Sequence, residues 1–345
     1  MKKIKTVVVG LGRIAWSCHI PEIMKHEGFE LVALLDPLEE RRKEAEKEFK
    51  AKSYSSLSDA LREQKPDLAV IASPTMFHAA QSIEAMENSC DVFCDKPMTI
   101  SYEEALSMEK AMKKNNRRLM VYQPHRATAE TISLRNILAE GLIGELYMIK
   151  FGSSNYVRRN DWQAFLRNGG GMLNNYGVHF IDMLLYIAQS PVKNISCKLR
   201  RIASLGDADD VVKAVIETQK GLILDIDINM ASALPITPWQ IFGKNGTLIM
   251  DTEKKEWKAR FFRPEELPDS EVYEEVAARN RKYPGDGGVI WHEKSFPLSD
   301  FQPVKYYDKC YEYFALGKTP FIPIEESVEL IRVIEECRKT AEANQ

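Results

Sequence analysis

Ile4-Lys5-Thr6-Val7-Val8-Val9-Gly10-Leu11-Gly12-Arg13-Ile14-Ala15 is the stretch whose reading decides the fold. Residues 4–9 are rich in β-branched side chains, as expected of a strand buried in a parallel sheet. The strand ends in the pattern GxGxxA. Gly10 permits the tight turn, Gly12 lets backbone amides approach a pyrophosphate, and the small Ala15 lets the next helix pack on the strand. The helix N-terminus offers unpaired amides to the phosphates, with Arg13 and Ile14 beside them. Glycine-rich turns are common; this one counts because a strand precedes it and a helix follows.

A second apolar strand, residues 31–35, ends in Asp36, 21 residues after Ala15. An acid there accepts the ribose hydroxyls of an adenosine and repels a 2′-phosphate. Pro37 and Leu38 come next, with no Arg or Ser beside the acid, so NAD is expected and NADP is disfavoured. The bland alternative is a surface Asp opening the next helix.

The alternation continues through helices at 39–50, 57–64, 78–88 and 103–114 and strands at 68–71, 91–94 and 119–122. Such β-α repetition predicts a doubly wound parallel sheet over residues 1–125. Ligands of such sheets lie beyond the C-terminal strand ends. Ser73 to His78, Asp95-Lys96-Pro97 and Tyr122-Gln123 all fall at that edge. The fold alone therefore gathers His78 and Lys96 beside the cofactor. Lys96, between a strand end and a proline, is less readily a plain surface lysine.

From residue 126 the pattern changes. A helix at 128–140 and a strand at 146–151 lead to Gly169-Gly170-Gly171-Met172-Leu173-Asn174-Asn175-Tyr176-Gly177-Val178-His179, then a helix with Ile181, Leu184 and Leu185 at helical spacing. Asn175, His179 and Asp182 share a face of it. Strands at 195–202, 211–218, 222–229, 238–243, 247–251 and 257–262 follow without intervening helices, hairpins turning at Lys220-Gly221 and Lys244-Asn245-Gly246. This predicts an α+β domain, residues 126–345, with a large, open, mostly antiparallel sheet. Residues 265–294 read as surface loop and short helix, and helices at 306–317 and 325–341 close the chain. Leu222, Leu224, Ile226 and Ile228 share one sheet face, while Asp225 and Asp227 face solvent or a polar interface. A free sheet face fits a homo-oligomer, a dimer or tetramer.

Composition narrows the partners. A hydrophobic content of 44% and a net charge of −3 describe a globular chain with no electrostatic pull toward nucleic acid or an anionic membrane. Six scattered cysteines without a CxxC pair argue against a metal site or a disulfide framework and fit a reducing, cytoplasmic setting. Neither a cleavable leader nor a membrane span is expected.

These motifs together resemble the glucose–fructose oxidoreductase/inositol dehydrogenase (Gfo/Idh/MocA) family, over nearly the whole chain. GxGxxA and Asp36 match its Rossmann domain. The family's EKP appears as Asp95-Lys96-Pro97, and its TPNxxH as Ser73-Pro74-Thr75-Met76-Phe77-His78. Its GGGxLxDxGxH appears at residues 169–179 with Asn175 in place of Asp, and residues 241–247 resemble its later GxxGT hairpin. The resemblance implies hydride transfer between nicotinamide and a hydroxyl-bearing carbon of a sugar, glycoside or cyclitol. Lys96 would hold the reacting oxygen, His179 would exchange its proton, and position 175 would orient both. It places Ser73, Pro74, Thr75, His78, Asp95, Lys96, Gln123 and Trp162 near the cofactor. Tyr122, His125, Arg126, Arg158 and Trp162 are further substrate candidates, with Arg159 and Asp161; each could equally belong to a packed junction or a solvated loop. Asn175 orients without supplying charge, so Lys96 and His179 are expected to titrate lower than beside an Asp, with Asp182 partly replacing that charge. Two other functions fit the motifs: a redox-neutral enzyme that retains NAD through epimerisation or glycoside cleavage, and a non-catalytic regulator sensing NAD or a sugar.

Overall fold

The computed structural model describes residues 3–272, 274 and 285–343. The chain begins with β1 (Ile4–Val9), a π-helical turn at Ala15–His19, α1 (Ile20–Lys25), β2 (Phe29–Leu35), α2 (Glu39–Phe49), β3 (Ser53–Tyr54) and α3 (Leu57–Gln64). It continues with β4 (Leu68–Ile71), α4 (His78–Glu87), β5 (Asp91–Cys94), α5 (Tyr102–Lys114) and β6 (Leu119–Val121). The six strands form one parallel sheet in the order β3-β2-β1-β4-β5-β6. The order reverses beside β1, the switch point where such sheets open a crevice.

Strand periodicity explains why these segments read as unbroken apolar runs. Val7 and Val9 enter one core with Ala69 and Ile71, while Val8 enters the opposite core with Val70 and Phe93. Both faces are covered, so no polar alternation survives.

The second half holds α6 (Ala129–Ala139), β7 (Leu146–Ser154), α7 (Val178–Ala188), β8 (Val192–Arg200), β9 (Val211–Thr218), β10 (Ile223–Asn229), β11 (Trp239–Gly243), β12 (Gly246–Asp251), β13 (Glu256–Phe261) and β14 (His292–Pro297). Its eight-stranded sheet runs β14-β13-β12-β11-β7-β10-β9-β8, antiparallel except where β7 meets β10. The expected large, mostly antiparallel sheet is therefore present. On β10, Leu224, Ile226 and Ile228 are buried, while Asp225 and Asp227 on the other face meet Lys213. Lys244-Asn245 forms the two-residue turn between β11 and β12.

One correction concerns residues 265–294. They do not end as loop: residues 292–294 begin β14, whose partner is β13. This edge strand, His292-Glu293-Lys294-Ser295-Phe296-Pro297, buries only Phe296, so it lacks the apolar alternation that marks a strand. A single helical turn occupies Pro264–Glu266, and the remaining expectation of a helix falls partly on 273 and 275–284, outside the described residues.

Two helices close the chain. α8 (Tyr306–Phe314) packs Tyr307, Cys310 and Phe314 into the core of the first sheet. α9 (Ile324–Glu342) spans both layers: Ile324, Val328 and Ile331 join the first sheet's core, and Leu330, Val333, Ile334 and Cys337 join the second's. All six cysteines are free thiols, five of them buried.

Candidate active site

A cleft of about 620 Å³ opens where the C-terminal edge of the first sheet faces the glycine-rich segment of the second half. Gly10 sits at φ +90°, and a Cβ there would lie 2.6 Å from the backbone of Ser73, so only glycine closes this turn. Gly12 differs. A Cβ on it would meet nothing within 4 Å, because it would project into the cleft. Arg13 and Ile14 line the same end. Asp36 is buried there, with Oδ2 accepting the Leu11 N–H and Oδ1 the Leu38 N–H, each at 2.9 Å. The carboxylate is held rigidly, and each oxygen keeps acceptor capacity for a ribose.

The expectation that no arginine stands beside Asp36 is corrected. Arg41, on the first turn of α2, lines the cleft with Nη1 3.5 Å from Asp36 Oδ2. Helical geometry returns residue 41 toward the strand end, which inspection of the adjacent residues alone overlooks.

Ser73, Pro74 and Thr75 form the next part of the wall. Ser73 Oγ donates to Gln81 Oε1 at 2.6 Å. His78 is buried behind them, its Nε2 2.8 Å from the Ser73 carbonyl and its Nδ1 2.9 Å from the Pro97 carbonyl. It braces the loop and does not face the cleft. The Lys96-Pro97 bond is cis. Asp95, also on the cleft, accepts the Lys96 N–H at 2.8 Å.

The Lys96 ammonium crosses from the first layer to the second. Nζ donates to the Asn175 carbonyl at 2.9 Å and to Asn175 Oδ1 at 3.1 Å. Burial pushes its pKa down to about 8; the Asp95 carboxylate works against the shift, and the Arg13 and Arg159 guanidiniums add to it. Asn175 lies in a π-helical turn, Leu173–Gly177, that runs directly into α7. Its neighbour Asn174 also lines the cleft.

His179 lies four residues beyond Asn175, is 7% exposed, and does not line the open cleft. Its ring stacks on His125 with centroids 3.9 Å apart and planes tilted by 36°. Burial, with the charge of Lys96, lowers the pKa of both: His125 to about 4, His179 well below the usual imidazole range. Both imidazoles are neutral near pH 7.

Arg126 does not reach the cleft. It is buried and paired with Asp182 through Nε to Oδ2 at 2.7 Å and Nη2 to Oδ1 at 2.6 Å, and Nη1 meets Glu326. Asp182 is thus committed to Arg126, which corrects the expectation that it supplies charge to His179. Tyr122 belongs to an aromatic cluster with His19 and Tyr306, and its hydroxyl lies 3.3 Å from Cys18 Sγ. Gln123 is buried, its N–H donating to the Tyr306 hydroxyl at 3.0 Å. Arg158 is exposed and off the cleft wall, whereas Arg159, Asp161, Trp162 and Gln163 are on it. Trp162 is 43% exposed, an open aromatic face over the cleft. Arg41, Ala72, Gln163 and Asn174 are lining residues that sequence reasoning missed.

Comparison with known proteins gives this geometry its family. A description of an oxidoreductase family with an NAD-binding Rossmann fold matches residues 4–123, and the GFO/IDH/MocA C-terminal domain matches residues 131–249. The chain belongs to the Gfo/Idh/MocA family. A D-glucoside 3-dehydrogenase of Escherichia coli is 28% identical over 198 residues, 56% of this chain and 56% of that one, so the match spans little more than half of either protein. Among solved structures, an NAD-binding protein from Listeria innocua covers the whole chain and 96% of its own length, with a TM-score of 0.84 and 24% identity. The WlbA dehydrogenase of Bordetella pertussis, solved with NADH and UDP-GlcNAcA, superposes over the whole chain and 98% of its own length with a TM-score of 0.77 and 22% identity. At these identities the structural likeness speaks for the fold.

The Gfo/Idh/MocA nucleotide site fits NAD on this chain's own features. Gly12 leaves the space that a pyrophosphate needs, and Asp36 presents a fixed carboxylate at the ribose end. Lys96 and the glycine-rich segment line the same cleft. No helix among the described residues is long and apolar enough to cross a membrane, and no cluster there could hold a metal ion.

Proposed function

We propose that this protein is an NAD-dependent dehydrogenase acting on a hydroxyl-bearing carbon of a sugar, glycoside or cyclitol held between the two sheets. The observation that carries this reading is the enclosed Lys96 ammonium, suspended between the nucleotide layer and Asn175. When bound, NAD supplies the acceptor for the substrate's hydride. Lys96 holds the reacting oxygen, which takes a place beside its Asn175 acceptors. With its pKa lowered to about 8, Lys96 is a stronger hydrogen-bond donor than an ordinary lysine. His179, kept neutral by burial and by the Lys96 charge, is in the state required of a base and takes the hydroxyl proton. Trp162 walls the site and limits water. The D-glucoside 3-dehydrogenase relative supports a glycoside or free sugar as the first substrates to try.

The uncovered face of the second sheet, where Val215 and Ile249 are exposed, is the surface we assign to a homo-oligomer. Light scattering that returned a monomer would remove that assignment.

The test is a panel of hexoses, glycosides and inositols incubated with NAD, followed by NADH absorbance. NADH should accumulate with at least one class. A panel without NADH from any class, on protein shown by titration to bind NAD, contradicts the proposal.

A further inference from the structure

We infer that Arg338, on the C-terminal helix, is a positioning residue that acts through Asn174 and Ile100 to set the spacing between the two halves of the Lys96 site. The inference rests on the dehydrogenase reading for its kinetic consequence, although its structural test does not.

The geometry begins at Asn174. Its Nδ2 donates to the carbonyls of Gly169 at 2.8 Å and Gly170 at 3.3 Å, and its Oδ1 accepts from Arg338 Nη2. The other prong, Arg338 Nη1, donates to the carbonyl of Ile100 at 3.2 Å. Ile100 belongs to the loop that carries Lys96, between β5 and α5. Its side chain lies against Gly169, where an added Cβ would fall 3.0 Å from Ile100 Cγ1. A single guanidinium thus ties the segment bearing Lys96 to the segment bearing Asn175.

The rest of α9 makes Arg338 a firm anchor. Ile331 is packed in the first core and Val333, Ile334 and Cys337 in the second, so the helix cannot follow one layer without the other. Glu335, one turn earlier, accepts the Tyr102 N–H at 2.8 Å and fixes the start of α5. Asp209 holds the same segment at other points: it accepts the Leu173 N–H at 2.9 Å, and a Cβ on Gly171 would collide with its Oδ1 at 2.2 Å. The glycine-rich segment is clamped by Asp209 through Leu173 and by Arg338 through Asn174. The Lys96–Asn175 hydrogen bonds span the gap that this clamp defines.

A lysine does not reproduce this geometry: its three donors sit on one nitrogen, whereas the planar guanidinium presents Nη1 to Ile100 and Nη2 to Asn174 from separate nitrogens. Misplacing reacting groups by ~1 Å costs about a hundredfold in rate, so a slackened clamp is expected in kcat before it is felt in affinity.

The experiment compares Arg338→Met, Arg338→Lys, Asn174→Leu and the Arg338→Met/Asn174→Leu double variant in the full chain. With the substrate found in the sugar panel, Arg338→Met should lower kcat by roughly ten- to a hundredfold while KM and the NADH Kd stay within about threefold. Arg338→Lys should fall between, and the double variant should be no worse than its worse parent, as expected of residues acting as one unit. A kcat equal to wild type, or additive losses in the double variant, would overturn the inference. A second readout needs no substrate: pH-dependent labelling of Lys96 by acetic anhydride, followed by mass spectrometry. Because burial is the largest influence on Lys96, loosening the clamp should raise its midpoint from about 8 toward the ordinary lysine value. An unchanged midpoint in Arg338→Met rejects the positioning role, whether or not any sugar is oxidised.

Discussion

Arg126 grips both carboxylate oxygens of Asp182, and this pairing takes the one acid on the histidine's own helix face away from His179. Spacing of three residues on α7 would have let Asp182 serve His179. Instead the cluster around Lys96 and His179 receives a neutral carboxamide from Asn175; burial lowers the pKa of both, opposed at Lys96 by the Asp95 carboxylate and reinforced at His179 by the charge of Lys96.

Restoring a carboxylate should reverse this. In Asn175→Asp the new charge stabilises the ammonium and the imidazolium, so both pKa values rise. The pH–rate profile should move to higher pH, by roughly one to three pH units for the Lys96 limb. A profile that stays in place would show that Asn175 and Lys96 are not electrostatically coupled.

Removal of Arg126 should be costly for stability. Arg126→Met leaves Asp182 buried without its partner, and urea unfolding should lose ~3–5 kcal/mol. Changing Asp182 to Leu in the same chain should recover part of that loss, because the stranded charge is gone. Equal unfolding midpoints for wild type and Arg126→Met would refute the pairing.

Two neighbouring glycines should respond in opposite ways to the same methyl group. Gly10→Ala collides with the Ser73 backbone at a positive φ and should lower the thermal midpoint. Gly12→Ala meets nothing in the protein and should leave that midpoint in place, yet crowd the pyrophosphate. Crowding at the ~1–3 kcal/mol that overpacking costs should weaken NAD binding by calorimetry about five- to 150-fold.

Arg41 offers a test of cofactor choice. Its pairing with Asp36 is half exposed and long, so Arg41→Ala should change NAD affinity by no more than about 1 kcal/mol. NADP should suffer more, since the variant faces the 2′-phosphate with Asp36 alone. Parallel calorimetric titrations of the two nucleotides check this; equal losses for both would show that Arg41 does not discriminate.

Acidification should weaken the fold through the stacked histidines. His125 titrates at about 4 in the folded chain and near 6.5 when unfolded, so the unfolded state binds more protons between these values. Stability should be fully present above pH 6.5 and decline as the pH falls toward 4. His125→Phe should flatten that decline in urea titrations at graded pH.

Much of the fold was legible because it is written in local periods. The β1 run, the GxGxxA turn and Asp36 lie within 33 residues, and their spacing is dictated by one strand-turn-helix-strand unit. Lys96 and Asn175 were legible as motif members, although their contact at a separation of 79 residues was visible only once both layers were folded. The rest depends on tertiary pairing. Nothing near Arg126 signals a partner 56 residues away, and nothing near Asn174 signals Arg338 at 164. β14 escaped notice because an edge strand with polar side chains has no apolar stripe to declare it.

Lys96 carries the central claim, and a single-turnover measurement tests it most directly. With NAD preloaded and a substrate from the sugar panel in excess, Lys96→Ala should form NADH at least about a hundredfold more slowly than wild type. Its NADH Kd should remain within about threefold, showing that the nucleotide site is intact. Hydride transfer at the wild-type rate in Lys96→Ala would contradict the account.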